Sequence, residues 1–216
     1  MNRNAIIVAF ALALGTGGCG LLDSSGGLRI DLPDQTFEFS LDATALVNQL
    51  ESETGVNLDG ITEIPAGVEV NETFATEIPP IPVDLSNQQE LKDYIAAGKI
   101  KGVTVKYVRV ALETNTFNYD IPAVEIFLDE ISATSIGANS QKIGVTDPVP
   151  AGSTVNGELK FTDNGRQLLS DYLLGLSFAV LGRTEITIDT SASRLVPDGQ
   201  LAGKITIGLY FTVDPL

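Results

Sequence analysis

The sequence contains no histidine and no tryptophan, and only one cysteine and one methionine among 216 residues. Without histidine there is no Ser-His-Asp triad, no Cys-His dyad and no His-ligated zinc. One cysteine excludes an intrachain disulfide and a cysteine-rich metal cluster. Basic residues are scarce, 13 against 28 acidic ones, for a net charge of −15. That balance excludes nucleic acid as a partner, because neutralising phosphates takes Lys and Arg. Charged residues make up only 19% of the chain and hydrophobic ones 44%, enough apolar material for a buried core. Proton chemistry is left to carboxylates, Lys and Tyr. The composition thus narrows the enzyme classes without excluding an enzyme; the leading expectation is a non-enzymatic protein with no cofactor.

The N-terminus reads Met1, Asn2, Arg3, Asn4 and then an unbroken apolar run of ten residues, Ala5 to Leu14. A span across a bilayer needs about 20 apolar residues, so this run is too short. A basic head, an apolar middle and small residues after it describe a secretory signal peptide. The lone cysteine, Cys19, closes this segment in Thr16-Gly17-Gly18-Cys19. Here the chain resembles a bacterial lipoprotein precursor, although Thr16 stands where that family most often has Leu. The resemblance implies cleavage after residue 18, a diacylglyceryl (palmitate-type) modification on the Cys19 sulfur, and residence in the cell envelope. Gly20 rather than Asp after the cysteine implies the outer membrane, by the enterobacterial sorting rule. The expected organisation is therefore a signal peptide over 1–18, a Ser/Gly-rich tether over 19–27 and one domain over 28–216, divisible into sub-sheets 28–98 and 99–216. Cleavage removes Arg3 and no acid, leaving 12 basic against 28 acidic residues. Such a surface is repelled by anionic headgroups, so the acyl chains on Cys19 would make the membrane contact.

Alternation dominates the rest. Phe37, Phe39 and Leu41 alternate with Thr36, Glu38 and Ser40; Val68, Val70, Phe74 and Ile78 share a face; Val124, Ile126 and Leu128 form another. Val103, Val105 and Tyr107 fall together, with Lys101 and Arg109 on the same face and Lys106 opposite. The last strand places Leu201, Ile205, Ile207, Leu209, Phe211 and Val213 on one side. Period two with one wet face predicts half-buried antiparallel strands. Three short helices interrupt them. One covers 43–51 behind Asp42; one follows a Ser86/Gln89 capping box and ends at Gly98; one is capped by Asp163 and stopped by Gly175. Ile78-Pro79-Pro80-Ile81-Pro82 predicts an edge strand or an extended crossover. The fold class is mainly β, an antiparallel β-sandwich with two or three short connecting helices.

Residues 101–213 resemble the late-embryogenesis-abundant type 2 (water-stress, WHy) domain. A strand, Val105 to Leu112, runs into Asn115-Thr116-Phe117-Asn118, then Ile121-Pro122 and the strand Val124 to Leu128. Pro150-Ala151-Gly152, a strand, a helix and a closing strand follow in the family's order. Thr116 replaces the family's central proline. The resemblance implies a β-sandwich and a non-enzymatic role in stress protection or lipid contact.

Candidate chemistry is sparse. Ser177, in Gly175-Leu176-Ser177-Phe178-Ala179, lacks both the second glycine and the histidine of a nucleophile elbow, and reads as a strand residue. Asp163, Asp147 and Asp198, with the Asn57–Gly60 segment, sit in oxygen-rich turns that suit Ca²⁺. Asx residues also favour turns for local reasons, and none of these has EF-hand spacing. Lys99, Lys101, Lys106 and Arg109 form the densest basic cluster, read as an edge or solvent face, with an anionic-group site as the other reading. Three functions stand open. The first is a lipid-anchored binding or structural module with an envelope protein as partner. The second is a carrier of lipid or another hydrophobic ligand. The third is a carboxylate-dependent hydrolase. Apolar alternation looks the same whether it lines a filled core or a ligand cavity.

Overall fold

A computed structural model describes residues 27–215. The signal segment 1–18, Cys19 and the tether up to residue 26 lie outside the described residues. The described residues form ten strands and three helices in the order β1 (Leu28–Asp31), β2 (Gln35–Asp42), α1 (Thr44–Thr54), β3 (Asn71–Asp84), α2 (Lys92–Ala96), β4 (Ile100–Asn115), β5 (Glu125–Asp129), β6 (Gln141–Val145), β7 (Asn156–Glu158), β8 (Lys160–Phe161), α3 (Gly165–Leu174), β9 (Ser177–Asp189) and β10 (Gln200–Val213).

The strands make two antiparallel sheets that face each other as a sandwich. In the first sheet, β10 is flanked by β4 on one side and by β1 and β2 in succession on the other; β7 closes the β4 edge. The β1–β2 break falls at Leu32-Pro33-Asp34, where proline has no N–H to give to the ladder. The second sheet runs β3-β9-β5-β6-β8. Each sheet takes strands from both halves of the chain, so the division at 98/99 is not a division between sheets. Alternation finds inner faces but says nothing of which distant strand pairs with which.

The inner face of β10 is buried as its alternation predicts, with Leu209, Phe211 and Val213 at 0% exposure. β9 is different: Phe178 to Gly182 are buried without a break. This strand lies between β3 and β5, and α3 packs beside it, with Tyr172 edge-on to Phe178 at 5.9 Å. The Pro79–Pro82 segment falls in β3, an edge strand as expected, and its ladder with β9 shifts register between Ile78 and Ile81.

Three local expectations change. β4 carries a bulge: Gly208 faces Tyr107 and Leu209 faces Val105, leaving Lys106 as the extra residue. The inner set is therefore Val103, Val105, Val108 and Val110, while Tyr107 and Arg109 turn outward. The Ser86/Gln89 capping box does not form. The Asp84 carboxylate takes the Ser86 N–H at 2.9 Å, the chain turns, and α2 begins only at Lys92. Asp163 does not cap α3, which starts at Gly165 after Asn164 with no side-chain cap. A Cβ at Gly165 would lie 1.8 Å from the Ile143 carbonyl oxygen, so α3 meets β6 backbone to backbone. Asp42 does serve α1, its carboxylate accepting the Thr44 N–H at 2.8 Å.

Candidate functional site

The space between the sheets is not completely filled. A cavity of about 60 Å³ lies there, walled on the first sheet by Phe39, Ile205, Val110 and Gly157, one from each of β2, β10, β4 and β7. The second sheet supplies Ile81, Ile126 and Val180 among others. The cavity is several times the ~10–15 Å³ that admits a water, yet its walls are almost wholly apolar, and apolar voids stay dry. Asp147 and Glu158 reach it only at the β7 side. At the opposite side lies a surface groove of about 480 Å³ between β2 and the proline-rich part of β3. Phe39 and Ile81 line both spaces, so these two side chains are the partition between groove and cavity. Phe39 lies over Gly203, where a Cβ would come within 3.0 Å of its ring. The groove also takes Glu38 and Glu113. Of these residues the sequence singled out Asp147, as a Ca²⁺ candidate in a turn; the apolar ones occupy ordinary alternating positions that do not mark a site.

A second feature is the outer face of the first sheet. The Tyr107 ring lies flat on Gly208, whose missing Cβ would be 2.5 Å from it, and its hydroxyl donates to the Asp34 carboxylate at 2.6 Å. Arg109 stacks on the ring 4.2 Å from its centroid. The hydrogen bond to Asp34 raises the Tyr107 pKa, with burial adding to it. Beside it, Asp31 accepts from Arg29 at 2.7 Å and from Lys106 at 2.6 Å. The hydrogen bonds from Arg29 and then Lys106 hold the Asp31 carboxyl down at about 2. Together these contacts fasten the interrupted β1–β2 edge to β4 and β10.

The sequence-predicted residues are spread over the molecule. Lys101 pairs with Asp214 at 3.0 Å, Lys106 with Asp31, Arg109 with Glu158 at 3.7 Å, and Lys99 donates to the Pro215 carbonyl. The basic cluster is thus met by acids and a carbonyl of its own chain. Asp147 pairs with Lys160, Asp198 accepts the Gly199 N–H at 2.7 Å, and Asp163 is exposed in the turn before α3. Asn57 likewise accepts the Asp59 N–H at 2.8 Å. Among the described residues no three His, Cys, Asp or Glu side chains gather as metal ligands. Ser177 is exposed at the first position of β9, after Leu176 at φ +63°. The turn at Asn115 and that at Pro150–Gly152 meet: the buried Asn115 amide donates to Ser153 O at 2.9 Å, and Gly152 N–H donates to Phe117 O at 3.1 Å. No described helix is long and apolar enough to cross a membrane.

No family model and no curated protein matches the chain. Among solved structures it is similar to a chain of turnip yellow mosaic virus, 10% identical with a TM-score of 0.29, covering 99% of this chain and 92% of that one. It is similar also to a chain of mud crab tombus-like virus, 12% identical with a TM-score of 0.32 over 98% and 95% of the two chains. A third, from Desmodium yellow mottle tymovirus, is 9% identical with a TM-score of 0.24 over 99% and 97%. At these scores the likenesses bear on neither fold nor function.

Proposed function

We propose that this protein is a lipid-anchored, non-enzymatic binding module of the cell envelope, held at the outer membrane by acyl chains on Cys19. The observation that carries the reading is the position of the lone cysteine, directly after a ten-residue apolar run and the four small residues Gly15-Thr16-Gly17-Gly18. β1 begins nine residues after it, so a short tether would enter the sandwich at an edge strand. One acyl chain binds a membrane only reversibly, and more than one makes the anchor durable. The acidic body then hangs clear of anionic headgroups. In a lipoprotein-processing host, labelled palmitate is expected in the wild-type protein and in membrane fractions, and absent from Cys19→Ser. Wild-type protein without label, or label retained by Cys19→Ser, overturns the anchor.

A second reading, a carrier of hydrophobic ligands, is favoured by the apolar cavity between the sheets. Its test is co-purified lipid in native mass spectra of the chain extracted from its host; delipidated protein that takes up no apolar ligand refutes it.

A further inference from the structure

We infer that Asn71 is the acceptor of an N-linked oligosaccharide, attached while the chain is exported and before β9 closes on β3. The inference rests on the envelope reading, which carries the chain across the membrane, and adds a modification site to it.

The sequence supplies the acceptor signature. Of all the asparagines in the chain only Asn71 has Ser or Thr two positions on, in Asn71-Glu72-Thr73, with no proline between them. Bacterial transferases that attach N-linked glycans outside the inner membrane also require an acid two positions before the asparagine. Glu69 stands there, in Glu69-Val70-Asn71-Glu72-Thr73. Both conditions meet at one asparagine, in a chain whose N-terminus reads as an export signal.

The fold keeps the segment at the surface. Glu69, Asn71, Glu72 and Thr73 are all exposed, and the Asn71 amide makes no side-chain hydrogen bond among the described residues. Asn71 is the first residue of β3, which has a strand neighbour in its sheet on one side only. A glycan on this nitrogen extends into solvent without displacing a packed group. It also covers the less protected part of the edge. Pro79, Pro80 and Pro82 remove N–H groups from the second half of β3, whereas Asn71 to Ile78 contains no proline. Polar bulk at Asn71 guards this half against pairing with a foreign strand.

The order of the strands opens the site. In the folded ladder Asn71 faces Asp189 and Thr73 faces Thr187, with the two threonine hydroxyls 2.9 Å apart. A segment held in that ladder cannot bend into an enzyme. β9 is the last strand but one, so an exported chain presents residues 69–73 well before their ladder partner arrives. In that interval the Asn71 Nδ2 bonds to the anomeric carbon of a polyprenyl-diphosphate oligosaccharide. The bond from that carbon to the diphosphate oxygen breaks, the diphosphate leaves with the electron pair, and one amide proton passes to a base of the transferase.

The test expresses the full chain in a lipoprotein-processing bacterial host that carries such a transferase and its lipid-linked oligosaccharide. Palmitate label reports arrival in the envelope; intact mass with fragmentation reports the glycan and its position. One oligosaccharide is expected, at Asn71, lost in Asn71→Gln, Thr73→Ala and Glu69→Gln and kept in Glu72→Gln. Folded chain purified from a host without the transferase, then offered the same enzyme and donor, should stay unmodified. Labelled chain without a glycan, or a glycan kept by Asn71→Gln, overturns this inference and leaves the anchor standing. A glycan kept by Glu69→Gln overturns the assigned signature, and equal transfer to the folded chain overturns the export window. Glycan without label upholds the site and overturns the anchor, and chain with neither overturns both.

Discussion

Replacing Gly208 by Ala should reverse the sign of its effect when Tyr107 is removed. In the native protein the Tyr107 ring covers Gly208 so closely that a Cβ would sit 2.5 Å from it. The ring must then lift, which disturbs its hydroxyl's bond to Asp34 and its stacking under Arg109. Forcing a methyl into an occupied space costs about 1–3 kcal/mol, so Gly208→Ala should destabilise by about that amount. Gly208 does not have a positive φ, so alanine suits its backbone. In a Tyr107→Ala background nothing is displaced, and Gly→Ala at a compatible position stabilises by about 0.4–1 kcal/mol by narrowing the unfolded ensemble. The two backgrounds should therefore differ by about 2 kcal/mol, within the range of contacting pairs. Urea unfolding of the four proteins in the cycle measures this. With a slope of about 2 kcal/mol per molar, the coupling appears as roughly a 1 M difference in midpoint shift. If Gly208→Ala has the same sign and size in both backgrounds, the ring does not rest on the glycine and the account of this edge is wrong.

Two other outcomes can be measured directly. Gly165→Ala places a Cβ 1.8 Å from the Ile143 carbonyl oxygen and must push α3 off β6; it should cost about 3 kcal/mol or more in urea unfolding, and a neutral result refutes the backbone contact. Asp31 has a folded pKa of about 2, below its unfolded value of 3.8, so its contribution is complete above about pH 4 and is lost as pH falls towards 2. Because the side chain is 49% exposed, that contribution is about 1 kcal/mol or less. Unfolding midpoints of wild type and Asp31→Asn should differ above pH 4 and converge near pH 2, and a gap that widens towards acid pH contradicts the assigned sign.

Local chemistry made much of this protein readable from the sequence. The inner face of β10 follows from six apolar residues at period two, and β2 from Phe37, Phe39 and Leu41, because an alternating chain gains most by burying one face of a sheet. Pro79, Pro80 and Pro82 assign β3 to an edge, since they cannot give N–H groups to a second neighbour. Asp42 before an amphipathic run marks the start of α1. Where a competing contact decides, the sequence is silent. A single extra residue at Lys106 turns Tyr107 and Arg109 to the outside, and the carboxylate of Asp84 captures the N–H that a capping box would need. That β1 and β2 share one edge of β10, roughly 160 to 185 residues away in the chain, depends on which long-range pairing buries most surface. The same holds for the cavity. Residues at inward positions announce that they are buried, but whether opposing side chains meet or leave a gap depends on the distance and register of two sheets. Only the folded chain sets those, because close packing is a property of neighbours that the sequence does not place together.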